Sequence, residues 1–238
     1  MTTQSAVEDL RQVGYALLTP AELAQELRLE LAALEALRAT WAQLPKDAYL
    51  RDGGRYRSRR HSCFVQDVAQ GVEEVPHRAH WQSTDYNALH GGIERWFEPI
   101  DPAVRADAAW LGLLAGLGRL FGRLRPTPRW HIEAHQFRID TASGIGRPTP
   151  EGAHRDGVDF VAVILVARNN VRGGETRVFQ ARGSAGVRFT MIEPWTALLL
   201  DDDAVIHETT PIQPETAHGV RDTLVITYRE KGFQAPGK

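Results

Sequence analysis

The sequence predicts an α+β fold in which helices pack on the outside of a β-barrel. Two apolar stripes at helical spacing occupy the first half, several short β-rich runs separated by turn residues fill the second, and helices followed by strands is the order of an α+β chain. Residues 1–238 read as one domain, helical over about 1–128 and barrel-forming over about 129–230, because barrels often reach this length.

The first stripe opens at Thr19-Pro20-Ala21-Glu22. A capping threonine, a proline preset for the first turn and a glutamate three positions on satisfy the free N–H groups of a helix start. Leu23, Leu27, Leu31, Leu34, Leu37 and Trp41 then predict one buried face on a single long helix ending before Pro45. A second helix starts at Asp101-Pro102, carries Trp110, Leu113, Leu114, Leu117, Leu120, Phe121 and Leu124, and stops at Pro126 and Pro128. Between the two, Asp52-Gly53-Gly54 and His90-Gly91-Gly92 read as turns and Tyr56–Val65 as a strand, while the rest of 46–100 has no clear pattern. Beyond residue 129, Trp130–Ile139 alternates, and Val158–Val166 is the nearly unbroken apolar run of a strand buried on both faces. Thr176–Gln180, Val187–Ile192, Thr196–Leu200, Val205–Thr209 and Thr223–Arg229 complete a set of short strands suited to a sandwich or barrel.

Composition narrows the function. With 28 basic against 30 acidic residues there is no surplus of positive charge to neutralise a phosphate backbone, so a nucleic-acid partner is not expected. Cys63 is the sole cysteine, which excludes an intramolecular disulfide and a cysteine-rich zinc site and fits a reducing compartment. The polar N-terminal stretch from Met1 to Gln12 lacks the basic start and apolar run of a signal peptide, and no segment approaches the ~18 apolar residues that span a bilayer. The expectation is a cytoplasmic protein with no membrane partner.

Three separated signals carry chemistry. His154-Arg155-Asp156 is an H-x-D, and on an extended strand the imidazole and the carboxylate point to one face, where they can share a metal ion. His207, in a strand-like segment downstream, supplies a second imidazole. Two histidines and one carboxylate occupy one face of an octahedral iron and leave the opposite positions open, as oxygen chemistry needs. Arg221 and Thr223 share a face of the last strand, and an arginine inside a barrel needs an anion. Its fork and the threonine hydroxyl suit a carboxylate; the alternative is a structural salt bridge to Asp201, Asp202 or Asp203.

The order H-x-D, distal histidine and R-x-T resembles the 2-oxoglutarate/Fe(II)-dependent dioxygenases. More narrowly, Gln136-Phe137-Arg138-Ile139, the segment Pro148 to Gly157, Gly173-Gly174-Glu175-Thr176 and His207-Glu208-Thr209-Thr210-Pro211-Ile212 are similar to the bacterial free-amino-acid hydroxylases, the L-isoleucine 4-hydroxylase and L-pipecolic acid hydroxylase branch. The resemblance covers about 50–230. It implies a double-stranded β-helix (jelly roll, cupin-like) core with helices packed outside, Fe(II) on His154, Asp156 and His207, and the 2-oxoglutarate C5 carboxylate on Arg221 with Thr223 assisting. With O₂ as co-reactant, it implies hydroxylation of an unactivated C–H of a free L-amino acid, aliphatic or cyclic, with formation of succinate and CO₂. Related halogenases lack the carboxylate of the triad, so Asp156 favours hydroxylation. Alternatives are a hydroxylase of a protein side chain, a metal-dependent isomerase on the same barrel and a non-enzymatic cupin-like sensor.

Other residues compete for roles. His218 is the rival distal ligand, in a loop. His131 and His135 are read as packed or solvent-facing, with Glu133 pointing the other way. Gln136 is assigned to the cosubstrate, and Arg138, Arg60, Tyr86 and Asn87 to the substrate, an arginine being needed for the amino-acid carboxylate. The partner of the substrate ammonium is not identified. Asp201–Asp203 reads as a solvated turn.

Overall fold

The structure is a computed structural model that describes residues 5–67, 70–87 and 89–236. The first four residues of the polar N-terminal stretch, and the end of the proposed domain, lie outside the described residues. The first half comprises α1 (Ala6–Val13), β1 (Tyr15–Leu18), α2 (Pro20–Leu27), α3 (Leu31–Leu37), a 3₁₀ turn (Arg38–Gln43), β2 (Arg57–Asp67), β3 (Gly71–Glu74), α4 (Pro102–Arg105) and α5 (Ala108–Gly122). Among the described residues nine strands follow: β4 (Arg129–Asp140), β5 (Phe160–Asn169), β6 (Val171–Gly173), β7 (Thr176–Gln180), β8 (Gly186–Phe189), β9 (Ala197–Asp201), β10 (Val205–Thr209), β11 (Ile212–Pro214) and β12 (Val220–Arg229).

The strands form a major sheet in the order β1-β9-β5-β12-β4-β2-β3, a small sheet β10-β7-β8 and a pair β11-β6. Every pairing is antiparallel. Mostly antiparallel sheets with few helices are consistent with the jelly-roll fold of oxygenases. No helix among the described residues is long and apolar enough to cross a membrane.

Strand β5 explains the layering. Its even residues Phe160, Ala162, Ile164 and Val166 join the large core cluster with Leu23, Leu34, Trp110 and Leu117 of the helices. Its odd residues Val161, Val163 and Leu165 join a second cluster with Val178 and Val205 of the small sheet. An apolar run without alternation is what a strand between two layers requires. The helices therefore cover one face of the major sheet, and the other face meets the small sheet and the cavity between them. An added Cβ on Gly118 of α5 would meet the Gln66 side chain of β2 and displace it.

Two predicted helices are each broken. The stripe Leu23–Trp41 is divided at Arg28, which takes a left-handed conformation (φ 56°) and returns its N–H to Ala24 and Gln25. The leucine spacing runs straight through this break, so periodicity alone conceals it. At the second helix, Asp107 interrupts the run by accepting the N–H groups of Ala109 and Trp110, so that α5 starts afresh. The four-residue strands β1 and β3 are too short for a periodic signal, whereas α1, as long as α2, is marked by its Ser5 N-cap and its left-handed Gly14 rather than by a long apolar stripe. Leu113 is fully buried in the helix–sheet core. Leu113→Ala is expected to lower unfolding stability by about 2–5 kcal/mol, read from the midpoint of a denaturant titration.

Candidate active site

His154, Asp156 and His207 present ligand atoms that all lie within 4.8 Å of one another. The backbone brings the imidazoles together. His154 and His207 form an isolated antiparallel bridge, each N–H donating to the other's carbonyl at 3.0 Å, and their ring centroids are 4.7 Å apart. His154 Nδ1 donates to the Gly152 carbonyl at 3.0 Å, which fixes the tautomer and leaves the Nε2 lone pair facing the group. Burial, then the neighbouring His154, pushes the pKa of His207 well down, so it too offers a lone pair. Contrary to the sequence reading, the H-x-D is not on a strand. It lies in the loop before β5, which starts at Phe160.

Something other than a sheet must therefore hold Asp156, and Asp202 does so. Its buried carboxylate accepts the backbone N–H groups of Asp156, Gly157 and Val158 at 2.9, 2.8 and 3.1 Å. The Asp201–Asp203 run is thus not simply a solvated turn: its middle residue is the loop's anchor. Gly157 turns with φ 74°, and an added Cβ there would be 2.5 Å from the Tyr86 ring. Gln82 Nε2 donates to Asp156 Oδ1 at 3.1 Å, and Arg95 in turn donates to Gln82 Oε1 at 2.9 Å. Burial and the Asp156 carboxylate push Asp202 up to about 7 against the pull of its three N–H donors. Crowded carboxylates of this kind are relieved by a cation. Two imidazole nitrogens and a carboxylate are the donor set that suits Fe(II).

Arg221 is a candidate for a complementary anion site in the same cavity. It projects from β12 into the same cavity, is 3% exposed, and its Nε and Nη2 have no hydrogen-bond partner. No ion pair joins it to Asp201, Asp202 or Asp203 among the described residues. Burial and the nearby Arg168 lower its pKa to about 10, which leaves it charged at neutral pH. Thr223 lines the cavity two residues on. A buried guanidinium with two unmet donors in the same cavity as a candidate metal group fits a carboxylate ligand.

The period of two sorts the remaining candidates. On β4, Glu133, His135, Phe137 and Ile139 line the cavity, and on β2, Arg57 and Arg59 do. Gln136 and Arg138 therefore face away: Gln136 donates to Thr40, and Arg138 forms a two-pronged pair with Asp222 at 2.8 and 2.7 Å. Arg60 also faces away, donating to the Pro99 carbonyl and pairing with Glu98. Tyr86 is among the exposed large side chains, whereas Asn87 lies in the cavity wall, donating to Gln82. His218 is exposed. Glu133 shares the inward face with His135, contrary to the sequence reading, because residues 133 and 135 have the same parity. Gln82, Arg95 and Asp202 were not singled out: the first two lie in the unpatterned segment, and Asp202 sits in a run that resembles an ordinary acidic turn.

A sandwich that gathers two histidines, an aspartate and an unpaired arginine around one cavity has the makings of a metal enzyme that uses a carboxylate cosubstrate. The model of the 2OG-Fe dioxygenase family matches residues 38–227. The crystal structure of a bsmA homolog from Methylobium petroleophilum PM1 is 56% identical, with a TM-score of 0.93, covering 98% of this chain and 94% of that one. IDO from Bacillus thuringiensis (TM-score 0.78, 19% identity, 95% and 98% covered) and the Fe(II)/(alpha)ketoglutarate-dependent dioxygenase TqaL (0.70, 17%, 93% and 84%) share the fold. A comparison with curated proteins gives no match. The chain belongs to the 2OG-Fe dioxygenase family, and it is an oxidoreductase whose cofactors are Fe(II), 2-oxoglutarate and O₂.

Asp202→Ala is expected to free the loop bearing Asp156 and to weaken Fe(II) binding by about 10- to 100-fold, as the loss of an outer-shell partner does. Competition against a chromogenic chelator measures it.

Proposed function

We propose that this protein hydroxylates an unactivated C–H of a free L-amino acid, aliphatic or cyclic, using Fe(II), 2-oxoglutarate and O₂ and releasing succinate and CO₂. Residues 1–238 act as a single domain in this reading. The observation that carries it is the buried, unpaired Arg221 in the same cavity as the His154–Asp156–His207 group. Bound iron supplies the oxidising chemistry; the protein supplies position and exclusion of water. His154, Asp156 and His207 would hold the metal, and this donor set suits an Fe(II) that works with a cosubstrate and O₂. Arg221 takes the distal carboxylate of 2-oxoglutarate, and Thr223 adds a hydroxyl donor. Asp202, through the backbone of the loop, and Gln82, through its side chain, aim the Asp156 carboxylate.

The amino-acid reading is supported by the motif resemblance to the free-amino-acid hydroxylases and by the cavity wall, which presents both signs of charge on buried side chains. A free zwitterion needs both. The presence of Asp156 favours hydroxylation over halogenation. Hydroxylation of a protein side chain is the second reading, and a succinate-formation screen with free L-amino acids, proline and pipecolic acid included, separates the two.

His154→Ala and Asp156→Ala are each expected to abolish substrate-dependent succinate formation with little change in melting temperature; full turnover in either variant refutes the triad. Arg221→Ala is expected to raise the KM for 2-oxoglutarate by about 10- to 100-fold, the worth of a charge-assisted carboxylate contact, and to change the KM of the prime substrate far less. An unchanged KM for 2-oxoglutarate places the anion grip elsewhere.

A further inference from the structure

A second group of titratable side chains lies in the wall of the same cavity. Glu133 is 7% exposed, and its Oε2 is bonded by His61 Nε2 at 2.9 Å and by His80 Nδ1 at 2.6 Å, with His135 Nε2 at 3.9 Å. None of these contacts uses Oε1, and Glu133 lines the cavity. The register places Glu133 opposite Thr227 and Ile139 opposite Arg221. Six residues of strand, about 20 Å, therefore separate Glu133 from the arginine assigned to the cosubstrate.

The hydrogen bonds assign the protons. Arg59 Nη2 lies 2.7 Å from His135 Nδ1 and can only donate, so the His135 proton is on Nε2. His61 and His80 donate to a carboxylate, through Nε2 and Nδ1 respectively. Burial lowers the pKa of all three histidines, His80 to about 4, so they are neutral at physiological pH. Burial alone would raise Glu133, but His80 and His61 and their hydrogen bonds more than offset it and hold the carboxylate ionised.

A metal ion is the obvious occupant of three imidazoles and a carboxylate, whose ligand atoms lie within 4.8 Å of one another. The surroundings oppose it. A metal-bound imidazole donates its other N–H to an acceptor. Here His135 Nδ1 faces the Arg59 guanidinium, which is itself a donor, and that buried cation stands where a metal-bound imidazole needs an acceptor. What the cluster builds is a fixed anion with one open oxygen.

A cation sits beside it, unpaired. Arg95 is 2% exposed, lines the cavity, donates to the neutral Gln82 amide and makes no ion pair among the described residues; its Nε has no partner. Arg95 and His80 are bridge partners, with N–H to carbonyl distances of 2.9 Å in both directions, which sets their Cα atoms about 5.5 Å apart. Arg57, by contrast, is already paired with Asp47 at 2.7 Å.

We propose that Glu133 and Arg95 form a head-group subsite that binds the ammonium and the carboxylate of a zwitterionic α-amino acid, an inference that rests on the free-amino-acid reading above. The subsite holds the backbone atoms of the substrate and leaves its side chain to reach the metal. A site built around two buried charges rejects a ligand that lacks either, because the unmatched charge stays desolvated.

The test is calorimetric titration of the anaerobic protein loaded with Fe(II) and 2-oxoglutarate. The probes are L-isoleucine, L-leucine and L-pipecolic acid, each set against its ammonium-free counterpart (3-methylpentanoate, 4-methylpentanoate, cyclohexanecarboxylate) and its carboxylate-free counterpart (2-methylbutylamine, isopentylamine, piperidine). The wild type is expected to bind at least one amino acid tenfold or more tightly than either counterpart, the discrimination a charge-assisted contact gives. Glu133→Gln is expected to weaken amino-acid binding tenfold or more and to abolish the preference over the ammonium-free acid. Arg95→Gln is expected to abolish the preference over the amine, and it carries the test if Glu133→Gln does not fold. Amino-acid binding unchanged in a folded Glu133→Gln or Arg95→Gln overturns the subsite and leaves the free-amino-acid reading standing. Failure of the wild type to bind any of the three amino acids, while it still turns 2-oxoglutarate over to succinate, overturns both. A second equivalent of tightly held metal in the wild type, lost in Glu133→Gln, overturns the subsite in favour of a metal centre.

Discussion

Charge buried without its partner organises this molecule. Arg221 and Arg95 carry guanidinium groups inside the sandwich with donors left unmet, and Asp156 and Asp202 press two carboxylates together nearby. Each such group costs several kcal/mol of desolvation unless something of opposite sign arrives. The rest of the fold has to be stable enough to carry that cost, and the apolar layering of β5 between helices and small sheet is how it does so. A cation at the carboxylates and an anion at Arg221 would each offset part of that cost.

Support for the metal group is divided between two kinds of structure. The histidines are positioned by strand pairing, because His154 extends the edge of β10 through its bridge to His207. The aspartate is positioned by a side chain, through the three N–H groups that converge on Asp202. Backbone pairing is cooperative with the sheet, whereas a single carboxylate holding a loop is a local device. Perturbations of the two should therefore differ in reach, with changes near β10 propagating into the sheet and changes at Asp202 confined to the loop.

Much of this was legible beforehand, in a graded way. Strands β7 and β10 match the residues read from alternation and turn punctuation, and the unbroken run in β5 reported its two buried faces. The breaks at Arg28 and Asp107 were hidden, because a leucine stripe records which side of a helix is covered and not whether the helix is continuous. The three residues of the metal group stood out because their residue types and order are rare in combination. Gln82 and Arg95 did not, since they lie in a segment held by side-chain bonds and isolated bridges that leave no periodic trace. Glu133 was within reach: counting by twos along Trp130–Ile139 places it with His135, and the same count turns Gln136 and Arg138 outward.

The sole thiol of the chain has its own significance in a protein that handles iron and oxygen. Cys63 is buried at 3% exposure, with Sγ 3.4 Å from His61 Nε2, and burial together with Glu133 pushes its pKa far above the ordinary range. A thiol that stays protonated is neither a soft ligand able to lure iron from its nitrogen and oxygen donors nor a nucleophile for peroxide. Self-inflicted oxidative damage, the common fate of catalysts that misfire with O₂, has little purchase on sulfur at this position.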